Sequence, residues 1–380
     1  MQQQAVVPAL PVGDFAHQKF LEDMFMFAVI MAGGGGTRLW PKSREEKPKQ
    51  MHALVDDKPL VQDTADHLQH ILGIDNVYIV SNENLAGSIL ESMPYMKGRF
   101  IIDPYRRDTA ACIGLAAVYL SRIDPDAVMG VFPADPFIGS EKEFGIAILA
   151  AEKLAARGHV VTIGIKPSGP ETGYGYIETG NFFDAVDDQA VMRVKRFVEK
   201  PDLKKAKEYL AAGNFLWNSG MFIWSIKTVL SLYEKYLPEI YDRLMEIEKS
   251  IGTPQEKKIV DAEYKDMQRI SVDYGIMEKL DDILVITGEF DWNDIGNWSA
   301  VRDIRKKDED GNVIEGRHVT VDTKNCLILG VENKVVATIG IEDLIVVDTE
   351  EALLICHKDR VQDVKQIVDS LRERKMDQYL

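Results

Sequence analysis

The sequence predicts an α/β protein: a Rossmann-like domain with a mainly parallel sheet, then a small β-rich, β-helix-like C-terminal domain. The first part is predicted by short apolar runs that end in turn residues and alternate with segments of helical spacing. The second part is predicted by a change after about residue 300. From there the chain consists of short runs rich in Val, Ile and Leu, broken by turn residues.

The first predicted strand is Phe25–Ala32, an apolar stretch that ends in four glycines. Its length and the turn residues after it favour a strand buried on both faces. The same pattern recurs at Val77–Ser81, Phe100–Asp103, Val128–Pro133 and Val160–Gly164. In sheets of this kind, ligands bind beyond the carboxyl ends of the strands, so we expect chemistry in the residues that follow each strand.

Apolar residues between these strands recur at three- and four-residue spacing, which predicts helices. The predicted helices are Leu60–Ile71, Asn84–Ser92, Thr109–Arg122 and Glu143–Arg157. Asn312–His357 is predicted to form many short strands, and Arg360–Arg374 one closing amphipathic helix. We therefore predict a loosely ordered extension at 1–23, a large domain at 24–300 and a small domain at 301–380.

Composition and charge exclude several classes of function. The 380 residues carry a net charge of −16 without an offsetting basic block, so we expect no nucleic-acid partner. Cys112, Cys326 and Cys356 form no CxxC pair, which indicates reduced thiols and a cytoplasmic protein. The apolar run at Phe25 is too short to span a bilayer, so we expect no membrane segment.

A glycine-rich loop, Gly33–Gly36, follows the first predicted strand and continues into Thr37 and Arg38. Backbone N–H groups of glycine can approach an anion closely because no Cβ intervenes. The loop is neither a Walker A motif nor G-x-G-x-x-G, since Arg38 and Leu39 stand where those motifs need other residues. A glycine run alone is equally consistent with a turn, but nearby cations such as Lys49 favour a polyphosphate ligand.

The run AGGGGTRLWPKSREEKPKQ, Ala32–Gln50, resembles the signature of mannose-1-phosphate guanylyltransferases, within the sugar-1-phosphate nucleotidyltransferase superfamily. Further segments agree in order: DPYRRDTA (Asp103–Ala110), FPAD (Phe132–Asp135), ETGYGYIE (Glu171–Glu178), FVEKPD (Phe197–Asp202), WNSGMF (Trp217–Phe222), SVDYGIMEK (Ser271–Lys279), WNDIGNW (Trp292–Trp298) and EDLIVVDTEEALLIC (Glu342–Cys356). The resemblance covers nearly everything from Phe25 onward. It implies that 24–300 is a nucleotidyltransferase catalytic domain and 301–380 the small terminal domain of that family.

The implied reaction is Mg²⁺-dependent, in-line attack by the phosphate of mannose 1-phosphate on the α-phosphorus of GTP, giving GDP-mannose and diphosphate. The nucleophile is already an anion near pH 7, because the second pKa of a phosphate monoester is roughly 6. A Ser–His or Cys–His pair is therefore not needed. The reaction requires charge neutralisation and positioning, and Mg²⁺ suits it because it binds one or two carboxylates plus phosphate oxygens.

Asp135 and Asp294 are the metal pair that the resemblance implies. Asp135 follows a predicted strand, and Asp294 lies in a predicted tight turn. From spacing alone, a helix cap or turn role explains each aspartate better. The sequence departs from the family at Pro136, where relatives usually have a histidine, so any role of that histidine is absent or taken over elsewhere.

The implied catalytic residues are Arg38, Lys49, Asp135, Lys200 and Asp294. Nucleotide binding is assigned to Gly33, Gly34, Gly36, Thr37, Arg38, Lys49, Thr109 and Asp135. Binding of the sugar phosphate is assigned to Gly175, Glu199, Lys200 and Asn218. Arg38, Lys49 and Lys200 each have an alternative as ordinary surface cations. Thr109 is interpreted first as a helix cap and second as a base contact. Asp273 is interpreted first as structural, with proximity to the sugar as the alternative.

Three other functions compete with this prediction. The first is the same reaction with another nucleotide or sugar, such as thymidylyl or uridylyl transfer to glucose 1-phosphate. Only the extent of the motif agreement favours GTP and mannose 1-phosphate over these substrates. A non-catalytic sugar-nucleotide sensor is favoured by Pro136 and opposed by the complete set of catalytic residues. An added isomerase module is improbable in the roughly 80 residues after the boundary. The resemblance also implies a homodimer formed through the C-terminal domain.

Overall fold

The computed structural model describes residues 26–331 and 333–380 of the chain. The extension predicted at 1–23 and the start of the strand predicted at Phe25 lie outside the described residues. The chain forms two compact units whose segments interleave along the sequence. The first unit contains the segments up to Gly33, Ala65–Ala134 and Ile138–Trp292; the second contains Gly34–Thr64, Asp135–Phe137 and Asn293–Leu380. The domain boundary near residue 300 stays a prediction.

The described residues form short strands and helices that alternate in the first half of the chain. The strands are β1 Met26–Met31, β2 Val77–Ser81, β3 Phe100–Ile102, β4 Val128–Pro133, β5 Phe137–Ile138, β6 Val160–Ile165, β7 Tyr176–Val186, β8 Gln189–Val198, β9 Phe215–Ser225, β10 Ile283–Gly288, β11 Trp292–Asn293, β12 Val313–Glu315, β13 Arg317–Lys324, β14 Leu327–Leu329, β15 Val335–Glu342, β16 Leu344–Asp348 and β17 Leu353–His357. The α-helices are α1 Leu60–Leu72, α2 Glu83–Ser92, α3 Asp108–Ser121, α4 Glu141–Ala155, α5 Leu203–Ala212, α6 Ile226–Tyr236, α7 Pro238–Ser250, α8 Glu256–Lys265, α9 Val272–Gly275, α10 Trp298–Ile304 and α11 Val364–Glu373.

The first unit is built on a nine-stranded sheet in the order β3-β2-β1-β4-β9-β6-β10-β8-β7. Only β9 and β8 run opposite to the other strands of this sheet. The predicted mainly parallel sheet is therefore confirmed, and the five predicted strands and four predicted helices are present within a few residues of their expected bounds. Strands β1, β2, β4 and β6 are almost wholly buried, as expected of strands covered on both faces.

Helix α3 lies in the core of the first unit, buried along most of its length. A Cβ at Gly114 would lie 2.5 Å from Leu244 Cδ1 of α7, so this glycine permits a close approach of the two helices. Tyr233 of α6 is fully buried, and its hydroxyl donates to the carbonyl of Ala110. This packing fixes the N-terminal turn of α3, which begins within the motif Asp103–Ala110.

The second unit contains the glycine-rich loop and the β-rich C-terminal segment. Its two sheets have the orders β12-β14-β16-β17 and β13-β15, and all their pairings except β16–β17 are parallel. The predicted β-rich domain is confirmed. The closing helix begins later than predicted, at Val364, because a 3₁₀ helix occupies Lys358–Asp363.

A hydrophobic core within the second unit joins its N-terminal segment to the C-terminal segment. Trp298 is fully buried, and its indole N–H donates to the carbonyl of Trp40 at 2.9 Å. The indole N–H of Trp40 donates to the carbonyl of Tyr379 at 2.7 Å. Burial of such aromatic side chains stabilises the segment that follows the glycine loop. In the described ranges, no helix is long and apolar enough to cross a membrane.

Candidate nucleotide and sugar-phosphate site

The glycine-rich loop follows β1 as predicted and leads into a 3₁₀ helix at Thr37–Leu39. Gly33, Gly34, Thr37 and Arg38 are exposed, whereas Gly36 is half-buried. Gly36 has a φ of 57°, and a Cβ there would lie 2.6 Å from Lys49 Cβ. Only glycine satisfies both the left-handed backbone and this close approach. The loop therefore passes directly over the stem of Lys49.

Lys49 is almost fully buried, with 11% of its side chain exposed. Its ammonium lies 2.9 Å from Asp135 Oδ2 and donates to the backbone carbonyl of Asp294 at 2.6 Å. A buried lysine is rare unless its charge is paired, and here both partners are oxygens. Because both oxygens contact one nitrogen, the two predicted metal-binding residues are near neighbours. The alternative of Lys49 as an ordinary surface cation is wrong.

Asp135 lies beside the glycine loop, since a Cβ at Gly34 would be 3.7 Å from Asp135 Oδ2. It follows β4 as predicted, and the next residue, Pro136, is buried. Pro136 has no side-chain donor, so the carboxylate of Asp135 is the group that this turn presents.

Asp294 lies in a turn that its own side chain stabilises. Its Oδ1 accepts from the N–H of Gly296 at 3.0 Å, and Asn293 Oδ1 accepts from the N–H of Ile295 at 2.8 Å. Ile295 has a φ of 46°, a conformation that such side-chain bonds help to hold. The predicted turn is present, and it fixes the position of the Asp294 carboxylate.

Asp135 and Asp294 fit Mg²⁺, a divalent metal that needs few protein ligands. Among the described residues, no group of three or more His, Cys, Asp and Glu side chains is arranged to hold a metal ion. Mg²⁺ does not need such a group, because it uses one or two carboxylates and completes its shell with phosphate oxygens and water. Asp135 and the turn of Asp294, beside an exposed glycine loop, fit that donor set.

The residues assigned to the sugar phosphate lie in the first unit. Gly175, Glu199 and Asn218 are close together: a Cβ at Gly175 would lie 2.6 Å from Glu199 Oε2 and 3.3 Å from Asn218 Cβ. The backbone N–H of Asn218 donates to the carbonyl of Gly175 at 2.9 Å. Three of the four predicted residues are thus close together: Gly175 directly precedes β7, Glu199 directly follows β8, and Asn218 lies in β9.

Lys200 extends from this group into solvent, with 63% of its side chain exposed. Its ammonium donates to Glu199 Oε1 at 2.6 Å. Burial acts to lower the pKa of Lys200, but the bond to Glu199 and the charge of Asp273 raise it above its usual value. Lys200 also has a φ of 44°, a backbone conformation that costs about 1 kcal/mol or more in a residue with a side chain.

Thr109 is not the helix cap that the sequence predicts. Helix α3 begins one residue earlier, at Asp108, and Arg107 precedes it without a side-chain cap. The hydroxyl of Thr109 instead accepts from the backbone N–H of Val272 at 2.9 Å. The physical reason is the left-handed backbone of Asp108, with a φ of 70°, which moves Thr109 into the first helical turn.

The sequence analysis interprets Asp273 first as a structural residue and second as a neighbour of the sugar. The structure places its Oδ1 2.8 Å from Asn218 Nδ2, although the two residues are 55 positions apart. Burial and the charge of Glu199 raise the pKa of Asp273 to about 6. Among the local patterns, only the agreement of SVDYGIMEK with the family points to this aspartate.

The predicted site residues fall into two groups. The second unit holds Gly34, Gly36, Thr37, Arg38, Lys49, Asp135 and Asp294. The first unit holds Gly33, Thr109, Gly175, Glu199, Lys200 and Asn218. Within the second unit, the ammonium of Lys49 contacts Asp135 and the backbone of Asp294 beside the glycine loop. Within the first unit, Gly175, Glu199, Lys200 and Asn218 present backbone, carboxylate, ammonium and amide groups.

Comparisons with known proteins show to which family this chain is similar. The family described as nucleotidyl transferase matches residues 27–311, and the mannose-phosphate isomerase/GMP-like β-helix domain matches residues 316–371. A mannose-1-phosphate guanylyltransferase from Klebsiella pneumoniae is 38% identical over 360 residues, which cover 93% of this chain and 75% of that protein. The alginate biosynthesis protein AlgA of Pseudomonas aeruginosa is 39% identical, over 91% of this chain and 72% of AlgA.

A solved structure from Thermus thermophilus, described as a mannose-1-phosphate geranyltransferase, has the same fold. It superimposes with a TM-score of 0.82 at 33% sequence identity, covering 92% of this chain and 100% of that one. The resemblance found in the motifs is therefore confirmed over nearly the whole length. The chain belongs to the nucleotidyl transferase family, among the mannose-1-phosphate guanylyltransferases and their relatives.

Proposed function

We propose that this protein joins GTP to mannose 1-phosphate, releasing diphosphate and forming GDP-mannose. The observation that carries the proposal is the buried ammonium of Lys49, which contacts Asp135 and the backbone of Asp294 beside an exposed glycine loop. A polyphosphate needs backbone donors, a fixed cation and carboxylates for a metal, and all three occur within one unit.

The chain's own residues position and stabilise the triphosphate. Backbone N–H groups of Gly34 and Gly36 approach its oxygens, and Arg38 and Lys49 balance negative charge that develops on the departing diphosphate. The attacking phosphate oxygen carries its charge already, so no side chain has to remove a proton from it. The catalytic effect we assign to the protein is alignment and charge stabilisation.

Mg²⁺ is the metal that we propose, with Asp135 and Asp294 as its protein ligands. Enzymes of this family generally use a divalent metal. When bound, Mg²⁺ would neutralise phosphate charge that the residues of the chain leave uncompensated.

The first unit would hold the sugar phosphate. Lys200 is exposed and has a raised pKa, so its ammonium is charged at neutral pH and available to the phosphate. Glu199 and Asn218 present a carboxylate and an amide suited to sugar hydroxyls, beside the bare backbone of Gly175.

A homodimer formed through the C-terminal segment is part of the proposal. Strands β13 and β15 pair in a register that places Val319, Val321, Val335 and Ile339 on one face. These four β-branched side chains are 54–75% exposed. An apolar sheet face of this kind is typical of a surface that a second subunit covers. The cytoplasm stays our expectation for the compartment.

Release of diphosphate tests the proposal. The purified protein would be incubated with either mannose 1-phosphate or glucose 1-phosphate and each of GTP, ATP, UTP, CTP and dTTP, with Mg²⁺ and after chelation. We expect release with GTP that chelation abolishes. Release with another triphosphate or with glucose 1-phosphate alone would keep the reaction and overturn the substrates. Nucleotide binding without any release would favour the sensor.

A further inference from the structure

Asp273 is held in place by bonds to another part of the first unit. It lies in the four-residue helix α9, whose first backbone N–H, that of Val272, donates to Thr109 of α3. The N–H of Ala110 donates in turn to the carbonyl of Ile270 at 3.2 Å. Ser271 caps α9 by accepting from the N–H of Tyr274. The carboxylate of Asp273 therefore projects from a segment that two hydrogen bonds, at Ile270 and Val272, tie to the start of α3.

The side-chain amide of Asn218 donates one hydrogen bond and accepts another. Its Nδ2 donates to Asp273 Oδ1 at 2.8 Å, and its Oδ1 accepts from the backbone N–H of Gly220 at 3.0 Å. An amide has two N–H groups and two acceptor positions, so one of each remains after these bonds. A flipped amide would place oxygen against the carboxylate and NH₂ against the N–H of Gly220. The two partners together thus permit one orientation only.

The charges around Asp273 reinforce that orientation. Burial and the neighbouring Glu199 raise its pKa to about 6, while Asn218 and Lys200 act in the opposite direction. Above that pH the side chain is an anion and can only accept hydrogen bonds. It therefore requires the NH₂ side of Asn218. A Cβ at Gly175 would lie 2.6 Å from Glu199 Oε2 and 3.5 Å from Asn218 Nδ2, so the amide nitrogen of Asn218 lies beside the other predicted sugar residues.

We propose that Asp273 is a positioning residue for sugar recognition, which holds Asn218 so that one amide N–H and one carbonyl lone pair face two hydroxyl groups of the bound sugar. The inference rests on the proposed function, because the sugar 1-phosphate is the ligand. Oriented donors and acceptors discriminate between sugars more strongly than apolar contacts do, since a mismatched hydroxyl leaves a polar group unpaired.

A double-mutant cycle tests this role. Asn218→Ala, Asp273→Ala and the double variant would be compared by their KM for mannose 1-phosphate and for GTP. Each single change should raise the KM for mannose 1-phosphate about tenfold, the effect of one or two hydrogen bonds, and leave the KM for GTP within about twofold. The double variant should be no worse than Asn218→Ala, because Asp273 acts through Asn218.

Asp273→Asn is the conservative variant, since its Oδ1 can still accept from Asn218. We expect its KM for mannose 1-phosphate to lie within about threefold of wild type. The exposed Asp281→Ala serves as a matched control, with an unchanged KM, and the midpoint of thermal unfolding confirms that each variant is folded.

Several outcomes would overturn the inference. An additive cycle, with a loss of about a hundredfold in the double variant, would show that Asp273 acts independently of Asn218. An equal loss in Asp273→Asn and Asp273→Ala would make charge, not orientation, the property that matters. Absence of wild-type turnover with any sugar 1-phosphate would instead overturn the proposed function, and this inference with it.

Discussion

Lys49 contacts three parts of the second unit. Its stem packs under Gly36, and its nitrogen contacts Asp135 and the carbonyl of Asp294. A charge buried to this degree is stabilised only if oxygens surround it, and the same geometry holds those oxygens in place. The residue therefore has both a structural and a chemical part in the proposed site.

The first prediction concerns this residue. Lys49→Met should lower kcat/KM for GTP at least about 100-fold, because it removes a fixed positive charge from the departing diphosphate. Initial rates of diphosphate release measure the effect. The matched control is Lys365→Met, which removes an exposed lysine of α11 in the same unit and should leave the rate unchanged. A folded Lys49→Met variant with the wild-type rate would contradict the assignment.

At the scale of elements, the glycines of the glycine-rich loop are not equivalent. Gly36 has a positive φ and no room for a Cβ, whereas a Cβ at Gly35 would meet nothing within 4 Å. The hydroxyl of Ser43 also donates to the carbonyl of Gly35 at 3.1 Å, and this hydrogen bond stabilises the turn. One glycine is thus required by the fold, and the other leaves its backbone accessible.

Gly36→Ala is therefore expected to destabilise the protein by about 2 kcal/mol or more, from backbone strain and from the clash with Lys49. Gly35→Ala should change the free energy of unfolding by less than about 0.5 kcal/mol. Urea unfolding of the two variants beside wild type measures the difference. Equal effects of the two substitutions would show that the loop is not fixed in the described conformation.

Asp103, in the loop between β3 and α3, makes the stability of the folded state depend on pH. Burial raises the pKa of Asp103 from 3.8 to about 6, although the N–H of Tyr105 donates to its Oδ1. Because the folded state binds the proton more tightly than the unfolded state, this group lowers stability as pH rises from about 4 to about 7. This destabilisation is absent below the unfolded pKa of 3.8 and fully present above the folded pKa of about 6.

Asp103→Asn keeps an acceptor for Tyr105 and removes the charge. We expect it to be more stable than wild type above pH 7, by on the order of 1 kcal/mol after allowance for partial exposure. The difference should vanish near pH 4, which serves as the internal control. Unfolding free energies measured across this range would refute the account if the difference were independent of pH.

At the scale of the whole molecule, the alternation of apolar runs and helical spacing is enough to predict the parallel strands and their helices. Strand β1 shows why: it is buried on both faces, so its burial is visible as a continuous apolar run. The long antiparallel strands β7 and β8 are not predicted, because their mixed, half-exposed residues give no such run. Interleaved units are beyond sequence reasoning too, since distant segments such as 34–64 and 293–380 share one core.

The candidate site also has features that can be predicted from the sequence and features that cannot. The glycine loop, Asp135 and Asp294 can be proposed as site residues from the sequence because short motifs surround them. The cap assigned to Thr109 is wrong, since a positive φ at Asp108 has no clear sequence signal. The bond between Asn218 and Asp273 joins β9 to α9, and such tertiary contacts are absent from local patterns.

The exposed face of β13 and β15 leads to a prediction about assembly. If a second copy covers it, Ile339→Lys should convert a dimer to a monomer, because a charge would be buried without a partner. Ile339 is 75% exposed in the single chain. Light scattering coupled to gel filtration measures the mass. Leu203→Lys, at an exposed apolar residue of α5, is the control and should not change it, and a monomeric wild type would contradict the proposed dimer.

The most direct test of the central claim is the fate of ¹⁸O carried in the phosphate of mannose 1-phosphate when the protein acts on GTP. Attack by that phosphate on the α-phosphorus predicts that mass spectrometry finds all of the label in GDP-mannose and none in the released diphosphate. Label in free phosphate, or GDP-mannose without label, would mean that the sugar–phosphate bond breaks instead. That result would contradict guanylyl transfer as the reaction of this site.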